Sequence, residues 1–198
     1  MNDLTMHDND NDLKHKYIEF ENTKHIKQIK ELSNELLKAK EILQKTNTKN
    51  KLMLLADIEN NLKKLTNAYN RLFDVFFNNI ETESTRSVYI QNNKTITNQA
   101  IEEIDKSTKE ISKRLSDLCV DESKRLLNEN AVDIASTHLN AALLLDIDNA
   151  AAYYYLFQIS FANNRLFEAL RNITQAIKLG FNKKFCLHYI KIIKNKIN

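Results

Sequence analysis

Histidine and cysteine, the side chains most often used in metal binding and nucleophilic catalysis, are few and widely scattered in this chain. Five histidines and two cysteines occur in 198 residues. The histidines are His7, His15, His25, His138 and His188. Cys119 and Cys186 are far apart and fit no paired spacing for a metal or redox site. No nucleophile motif accompanies them, so we expect no catalytic residues, no metal site and no enzymatic activity.

Three aspartates near the N-terminus alternate as the first ligands of a calcium-binding EF-hand loop do. They are Asp8, Asp10 and Asp12. Glu19 follows where the last ligand of such a loop would stand, but Leu13 occupies the position that needs glycine for a sharp turn. We therefore interpret residues 1–12 as a disordered acidic tail.

Glycine and proline, which end helices and shape ligand-binding loops, are almost missing. The chain has one glycine, Gly180, and no proline. Loops that cradle phosphates need several glycines so that backbone N–H groups can face the phosphate, and no cofactor or small-molecule substrate is therefore expected. The scarcity of both residues favours long helices over many tight turns, so the predicted fold class is all-α.

Signals for export or membrane insertion are also missing. The N-terminus is acidic and lacks the apolar segment of a secretory signal. No apolar run approaches the roughly 18 residues of a membrane span. Two distant cysteines suit a reducing compartment, and a cytoplasmic location is predicted.

Apolar residues recur with helical spacing over most of the N-terminal region. We predict three long helices, over about residues 13–45, 51–80 and 99–128. The turn at 46–50 is short, so the first two helices should be antiparallel. Residues 13–115 would form a helical hairpin or coiled-coil-like bundle, which could also join two copies as a homodimer. Predicted seam residues are Ile18, His25, Ile29, Leu32, Leu36, Ala39, Leu43, Leu55, Ile58, Leu62, Leu65, Tyr69, Leu72, Phe76, Ile101, Ile104, Thr108, Ile111, Leu115 and Leu118.

Residues 81–98 interrupt this pattern with Ser, Thr and Asn. Residues 88–91 and 94–97 flank an Asn-Asn pair and would suit a small β-hairpin. An isolated hairpin is only marginally stable in water, so a disordered loop is the alternative. The sequence leaves both interpretations of this irregular segment open.

Residues 150–182 contain two short amphipathic patterns joined by a polar turn. Apolar residues fall on one side of each predicted helix. They are Tyr153, Leu156 and Phe157 in the first, and Ala169, Ile173 and Ala176 in the second. The turn is Asn163-Asn164-Arg165, in which asparagine can adopt a left-handed conformation. A similar second-helix pattern occurs one period of 34 residues earlier, at Ala135, Leu139 and Ala142.

This spacing resembles the tetratricopeptide repeat (TPR), a pair of helices of about 34 residues. The resemblance covers residues 116–183, and the first copy is the weaker one because Cys119 and Glu122 replace an aromatic residue and a leucine. It implies two helix pairs in a domain of residues 116–198. Two repeats are fewer than the three usually needed for stability, so the preceding helix and a C-terminal helix should cover the ends.

The resemblance implies a non-catalytic adaptor or scaffold that holds a peptide or helix of an unidentified protein in a concave groove. The implied groove residues are Tyr154, Gln158 and Phe161, with Lys124 and Leu127 from the preceding copy. The alternative is that Tyr154 and Phe161 pack on neighbouring helices of the same chain. Tyr153, Leu156, Phe157 and Ser160 are expected to face the partner helix of their own repeat.

The C-terminal segment suggests a second function. Residues 183–198 carry five lysines and no acidic residue. Lysines beside an apolar face are compatible with binding to nucleic acid or to an anionic membrane. We favour a capping helix, in which Phe185, Tyr189 and Ile193 are buried against the second repeat and the lysines are solvated.

Overall fold

The computed structural model describes Lys16 and residues 19–21, 23–46, 51–77 and 83–197. For residues 75–77, 83–94, 96 and 97 it describes the backbone alone. Seven helices have both bounds in these ranges, and none of the described residues lies in a β-strand. They are α1 (Lys24–Lys45), α2 (Lys51–Phe77), α3 (Glu83–Asn128), α4 (Val132–Leu145), α5 (Ala150–Ala162), α6 (Leu166–Lys178) and α7 (Lys183–Ile197). The all-α fold class is confirmed, while the predicted acidic tail lies outside the described residues.

The start of α3 corrects the expectation of a β-hairpin or disordered loop over residues 81–98. Residues 83–98 are helical and continuous with the helix that was predicted to start near 99. The segment contains no glycine or proline, and Ser, Thr and Asn each cost only a few tenths of a kcal/mol in a helix interior. Because extending an existing helix needs no new nucleus, a polar segment joined to a strongly patterned one can remain helical.

The chain divides into two compact units, residues 1–38 with 55–109 and residues 39–54 with 110–198. In the first unit, the beginning of the α1 region meets the end of α2. The ring of Phe20 contacts those of Tyr69 and Phe73 edge-on, with centroids 5.4 and 5.6 Å apart. Glu21 accepts a hydrogen bond of 3.1 Å from the hydroxyl of Tyr69. The predicted antiparallel arrangement of the first two helices is therefore confirmed.

The buried face of α2 agrees with the predicted seam at Ile58 and Leu65, which are buried, and differs from it at other positions. Asn61 and Ala68 are buried, whereas Leu62 and Tyr69, each one position later, are only half-buried. Asn61 donates a 2.9 Å hydrogen bond to the hydroxyl of Ser107 on α3, while Tyr69 contacts residues next to α1. A helix that packs against two neighbours buries the residues that face the space between those neighbours. The most apolar stripe of α2 points to one side of this space, so its residues are not all buried. The seam residues expected on α1 and α3 are mostly buried: Ile29, Leu32, Leu36, Ala39, Leu43, Ile101, Ile104, Thr108, Ile111 and Leu115. His25 and Leu118 are half-buried, and Ile18 lies outside the described residues.

The second unit repeats one helical pattern after 34 residues. α4 and α6 begin at Val132 and Leu166, which are 34 positions apart. α4 follows the end of α3, and α6 follows the end of α5. Each of three pairs at the same separation is fully buried. They are Ala135 and Ala169, Leu139 and Ile173, and Ala142 and Ala176.

The two turns have matching backbone geometry. Asn130 and Asn164 are left-handed, with φ of 58° and 56°. The N–H of Ala131 donates to the carbonyl of Leu126 at 2.9 Å, and the N–H of Arg165 to that of Ser160 at 2.8 Å. The asparagine N–H groups donate to Leu127 and Phe161 at 3.1 Å, which completes a Schellman motif at each helix end. The left-handed asparagine predicted in the second turn is confirmed.

A buried polar cluster joins α3, α4 and α5. Asn149 caps α5 by accepting a 3.1 Å hydrogen bond from the N–H of Ala152. Its amide nitrogen donates to Ser116 Oγ at 2.9 Å and to Asp117 Oδ1 at 3.0 Å. The Ser116 hydroxyl in turn donates to the carbonyl of Ala142 at 2.9 Å. Buried polar groups must find such partners, so this cluster sets the approach of the first helix pair to α5.

Candidate functional site

α5 lies between two apolar clusters and contributes side chains to both. The first cluster consists of Cys119, Val120, Leu139, Ala142, Ala152, Leu156 and Ile159. The second consists of Phe157, Ala169, Ile173, Cys186 and Ile193. Leu156 therefore packs with the preceding helix pair, which corrects the expectation that it faces α6, whereas Phe157 packs with α6 residues as expected. A helix that is apolar on nearly all sides is buried on more than one side.

Tyr154 and Phe161, two of the predicted groove residues, pack on the C-terminal part of the chain. The ring of Tyr154 stacks on Phe181, with centroids 4.3 Å apart and an interplanar angle of 16°. Phe161 meets Tyr189 edge-on at 5.7 Å, and Lys196 Nζ lies 5.4 Å from its centroid. Both aromatic side chains are half-buried. They therefore pack on neighbouring parts of the same chain, as the alternative interpretation predicted. Their role in partner binding stays a prediction.

The other three predicted residues lie nearby. Gln158 is exposed, and its amide nitrogen donates to the Tyr154 hydroxyl at 2.9 Å. Lys124 Nζ lies 5.7 Å from the centroid of Tyr155, whose ring is 5.4 Å from that of Tyr154. Leu127 is half-buried beside the first cluster. Burial raises the pKa of the Tyr154 phenol above its usual value.

Three further aromatic residues extend this site. Tyr155 connects Lys124 to Tyr154, and Phe185 lies 6.1 Å from Tyr154 and 5.1 Å from Tyr189 between ring centroids. We refer to seven residues as the aromatic surface: Lys124, Tyr154, Tyr155, Gln158, Phe161, Phe185 and Tyr189. Tyr155 could have been found from the sequence, because it is three positions before Gln158 and so shares its helix face.

Phe185 is 44% exposed, which corrects the expectation that it is buried against the second repeat. Ile193 is buried as predicted, and Tyr189 is half-buried. The buried face of α7 is centred on Cys186 and Ile193, seven positions apart. Phe185 precedes Cys186 by one residue and therefore points about 100° away from that face. It leaves an aromatic ring partly accessible beside Tyr154.

Cations at the two ends of the aromatic surface have different surroundings. On α3, Lys124 pairs with Asp121 at 2.7 Å, and Arg125 pairs with Glu122 at 2.6 Å. The hydrogen bond from Arg125 holds the pKa of the Glu122 carboxyl below its usual value. On α7, Lys183, Lys184, Lys191, Lys194 and Lys196 form no ion pair with any described residue, and all five are exposed. No described residue therefore compensates the positive charge of the α7 end by an ion pair.

The two thiols are poor nucleophiles. Burial raises the pKa of Cys119 to about 11, against an opposing hydrogen bond with Thr46, and burial also raises the pKa of Cys186. Among the described residues, no group of three His, Cys, Asp or Glu side chains is arranged to hold a metal ion. The same residues include no helix that is long and apolar enough to cross a membrane.

No family model, curated protein or solved structure matches this chain. The helix-pair repeat and the aromatic surface are therefore interpreted from their own geometry.

Proposed function

We propose that this protein is a non-catalytic adaptor that holds a peptide or helix of a partner protein on its aromatic surface. The observation that carries the proposal is the repetition of a helix pair after 34 residues, including matched turns at Asn130 and Asn164. This geometry resembles the tetratricopeptide repeat, in which the first helices of successive pairs present one face to a partner. The aromatic surface is formed by the corresponding helices here, namely α3, α5 and α7.

The composition of the surface supports a protein ligand. Half-buried aromatic rings offer a large and rigid contact area, and such residues supply most of the energy at many protein interfaces. The Gln158 side chain is exposed next to these rings and has both donor and acceptor groups for a partner backbone. Burying the exposed part of Phe185 would contribute about 1 kcal/mol of apolar stabilisation to the complex.

The proposal includes no catalytic step and a cytoplasmic location. Both cysteines are free and buried, which is compatible with a reducing compartment.

Phe185 offers a better test residue than Tyr154 or Phe161. Replacing Tyr154 or Phe161 by alanine removes packing against the second cluster, so either substitution should destabilise the fold as well as weaken partner binding. Phe167 on α6 provides a matched control, because it is a 76% exposed phenylalanine outside the aromatic surface.

The test is a selection of displayed random peptides of about 15 residues, long enough for several helical turns, on the purified full-length protein. We expect enriched clones that bind the wild type and the Phe167→Ser variant and lose binding to Phe185→Ser. Circular dichroism melts should show that both variants remain folded. Failure to enrich any clone, or undiminished binding to Phe185→Ser, would contradict the proposal.

A further inference from the structure

We infer that the partner segment is an acidic amphipathic peptide, an inference that rests on the proposed function. Its apolar residues pack beside Phe185 on the aromatic surface, and its carboxylates face the lysines of α7.

The positions of two lysines and a histidine on α7 carry this inference. Lys184, His188 and Lys191 are all exposed and are spaced by four and three positions, so they form one stripe along the helix. The neighbouring stripe contains Phe185 and Tyr189, and the His188 ring lies 5.8 Å from that of Tyr189. A basic stripe, defined here as Lys184, His188 and Lys191, thus borders the aromatic surface.

No ion pair with a described residue neutralises the charge of this border. α7 contains no acidic residue, and its lysines form no ion pair with the described residues, whereas Lys124 and Arg125 at the opposite end are paired. An unpaired cation beside an apolar contact can complement a ligand carboxylate, whereas a paired one has its charge already satisfied. Charge complementarity therefore selects a ligand with acidic residues next to its apolar ones.

The same geometry disfavours other anionic ligands. Single-stranded nucleic acid is held by stacking bases on free aromatic faces, but one face of Tyr154 already lies on Phe181. Insertion into a bilayer needs one continuous apolar face, whereas the exposed Phe185 and Leu187 lie about 160° apart around α7, on opposite sides of the basic stripe. An acidic peptide can follow the basic stripe and place apolar side chains on its aromatic edge.

The experiment uses two fluorescein-labelled amphipathic peptides of about 15 residues. Both carry leucine at helical i, i+3, i+4 and i+7 spacing, and the remaining positions are glutamate in one and lysine in the other. Fluorescence anisotropy with the full-length protein should show binding of the glutamate peptide, at least about tenfold tighter than the lysine peptide at low ionic strength. Added salt should weaken this binding.

Charge reversal on the protein provides the second arm. Lys184→Glu with Lys191→Glu should reduce the affinity for the glutamate peptide by about tenfold or more. Lys63→Glu with Lys106→Glu changes the net charge equally at two exposed positions of the first unit and should leave the affinity unchanged.

The outcomes separate this inference from the proposed function. Equal binding of both peptides, or binding of peptides selected from the random library without binding of the glutamate peptide, would overturn the acidic partner but leave the adaptor function in place. The same holds if reversal of the basic stripe has no effect. Displacement of the glutamate peptide by a single-stranded oligonucleotide or by anionic phosphatidylserine vesicles, with the same dependence on the basic stripe, would also overturn the acidic peptide as ligand.

Discussion

At the scale of single residues, backbone conformation and burial explain the most specific features of the chain. Asn130 and Asn164 adopt the left-handed conformation at equivalent turns, and Gly180 does so after α6 with φ of 91°. Asparagine tolerates this region because its short polar side chain can hydrogen-bond locally, and glycine tolerates it because it has no Cβ. The sequence predicted the second turn from its two adjacent asparagines and missed the first, where Asn130 stands between Glu129 and Ala131.

Replacing Asn164 by alanine should lower the free energy of unfolding by about 1 kcal/mol, because alanine is strained at positive φ. Asn164→Gly should be neutral or slightly stabilising. Asn163→Ala is the control, since Asn163 has φ of −85° and needs no left-handed residue. Urea unfolding followed by circular dichroism measures all three variants. An equal loss for Asn164→Gly and Asn164→Ala would show that the side chain, and not the backbone angle, matters.

Stability should also decrease at alkaline pH because of Cys119. In the folded chain its pKa is raised by burial from 9.0 to about 11. Between these two values the unfolded thiol loses its proton while the folded thiol keeps it, so the free energy of unfolding falls as pH rises. Cys119→Ser should flatten this part of the pH profile. Slow alkylation of Cys119 by iodoacetamide at pH 8, followed by mass spectrometry, is the second measure, and rapid alkylation would contradict the burial.

At the scale of helices, packing between neighbours decides which face of each element is buried. In the first unit, the seam of α3 includes Thr108, which is fully buried and whose hydroxyl has no hydrogen-bond partner among the described residues. In the second unit, α7 covers Phe157 and Ile173 with Cys186 and Ile193. We therefore expect Thr108 to weaken the packing of α3, whereas α7 completes a core that would otherwise face water.

Thr108→Val should raise the free energy of unfolding by about 1 kcal/mol, because a methyl group replaces a buried hydroxyl that lacks a partner. Ser123→Ala is a contrasting variant. The Ser123 hydroxyl donates to the carbonyl of Cys119 at 2.7 Å, so its removal should destabilise the fold. Chemical denaturation compares the two. A loss of stability in Thr108→Val would show that its hydroxyl is bonded in solution.

Deletion of residues 184–198 should lower the melting temperature by several degrees or more. It exposes large apolar side chains of the second cluster, at roughly 1.5–3 kcal/mol for each side chain that loses its full cover. Lys191→Ser with Lys194→Ser removes charge from exposed positions and should leave the melting temperature nearly unchanged. If the truncated chain melts like the full chain, α7 is not a cap, and its lysines would need a direct functional explanation.

At the scale of the whole molecule, the chain has two units with different interaction surfaces. The aromatic surface belongs to the second unit. In the first unit, a shallow cleft between α1 and α2 is lined by Ile29, Ser33, Asn34, Thr66 and Tyr69, among others. Leu37, which is 52% exposed, continues the α1 side of this cleft by one turn beyond Ser33 and Asn34. An apolar residue beside a cleft between two helices suits a third helix from a second copy.

We therefore predict a homodimer through the N-terminal helices. Multi-angle light scattering at micromolar concentrations should give twice the chain mass of 23.1 kDa. Leu37→Ser should shift the protein towards the monomer without unfolding it. Leu144→Ser, at an 84% exposed leucine on α4, should leave the dimer intact. A monomer at high micromolar concentration would contradict the prediction.

The sequence by itself determined the features that depend on local preference. The scarcity of glycine and proline and the helical spacing of apolar residues predicted the all-α class and the break between α1 and α2. Local preference also predicted the left-handed Asn164, and the 34-residue spacing that resembles the tetratricopeptide repeat predicted the matched alanines of the two helix pairs. The irregular composition of residues 81–98 led to the wrong prediction of a hairpin or loop. Polar residues only weakly disfavour a helix that neighbouring residues already stabilise.

Only the tertiary structure decided which partner each side chain of α5 meets and how far Phe185 is exposed. α5 is apolar on nearly every side, so its sequence has no single stripe from which a buried face could be predicted. Its two apolar faces are separated only when α3 and α4 pack on one side and α6 and α7 on the other. Contacts between residues far apart in the chain set this division, and local spacing contains no information about them.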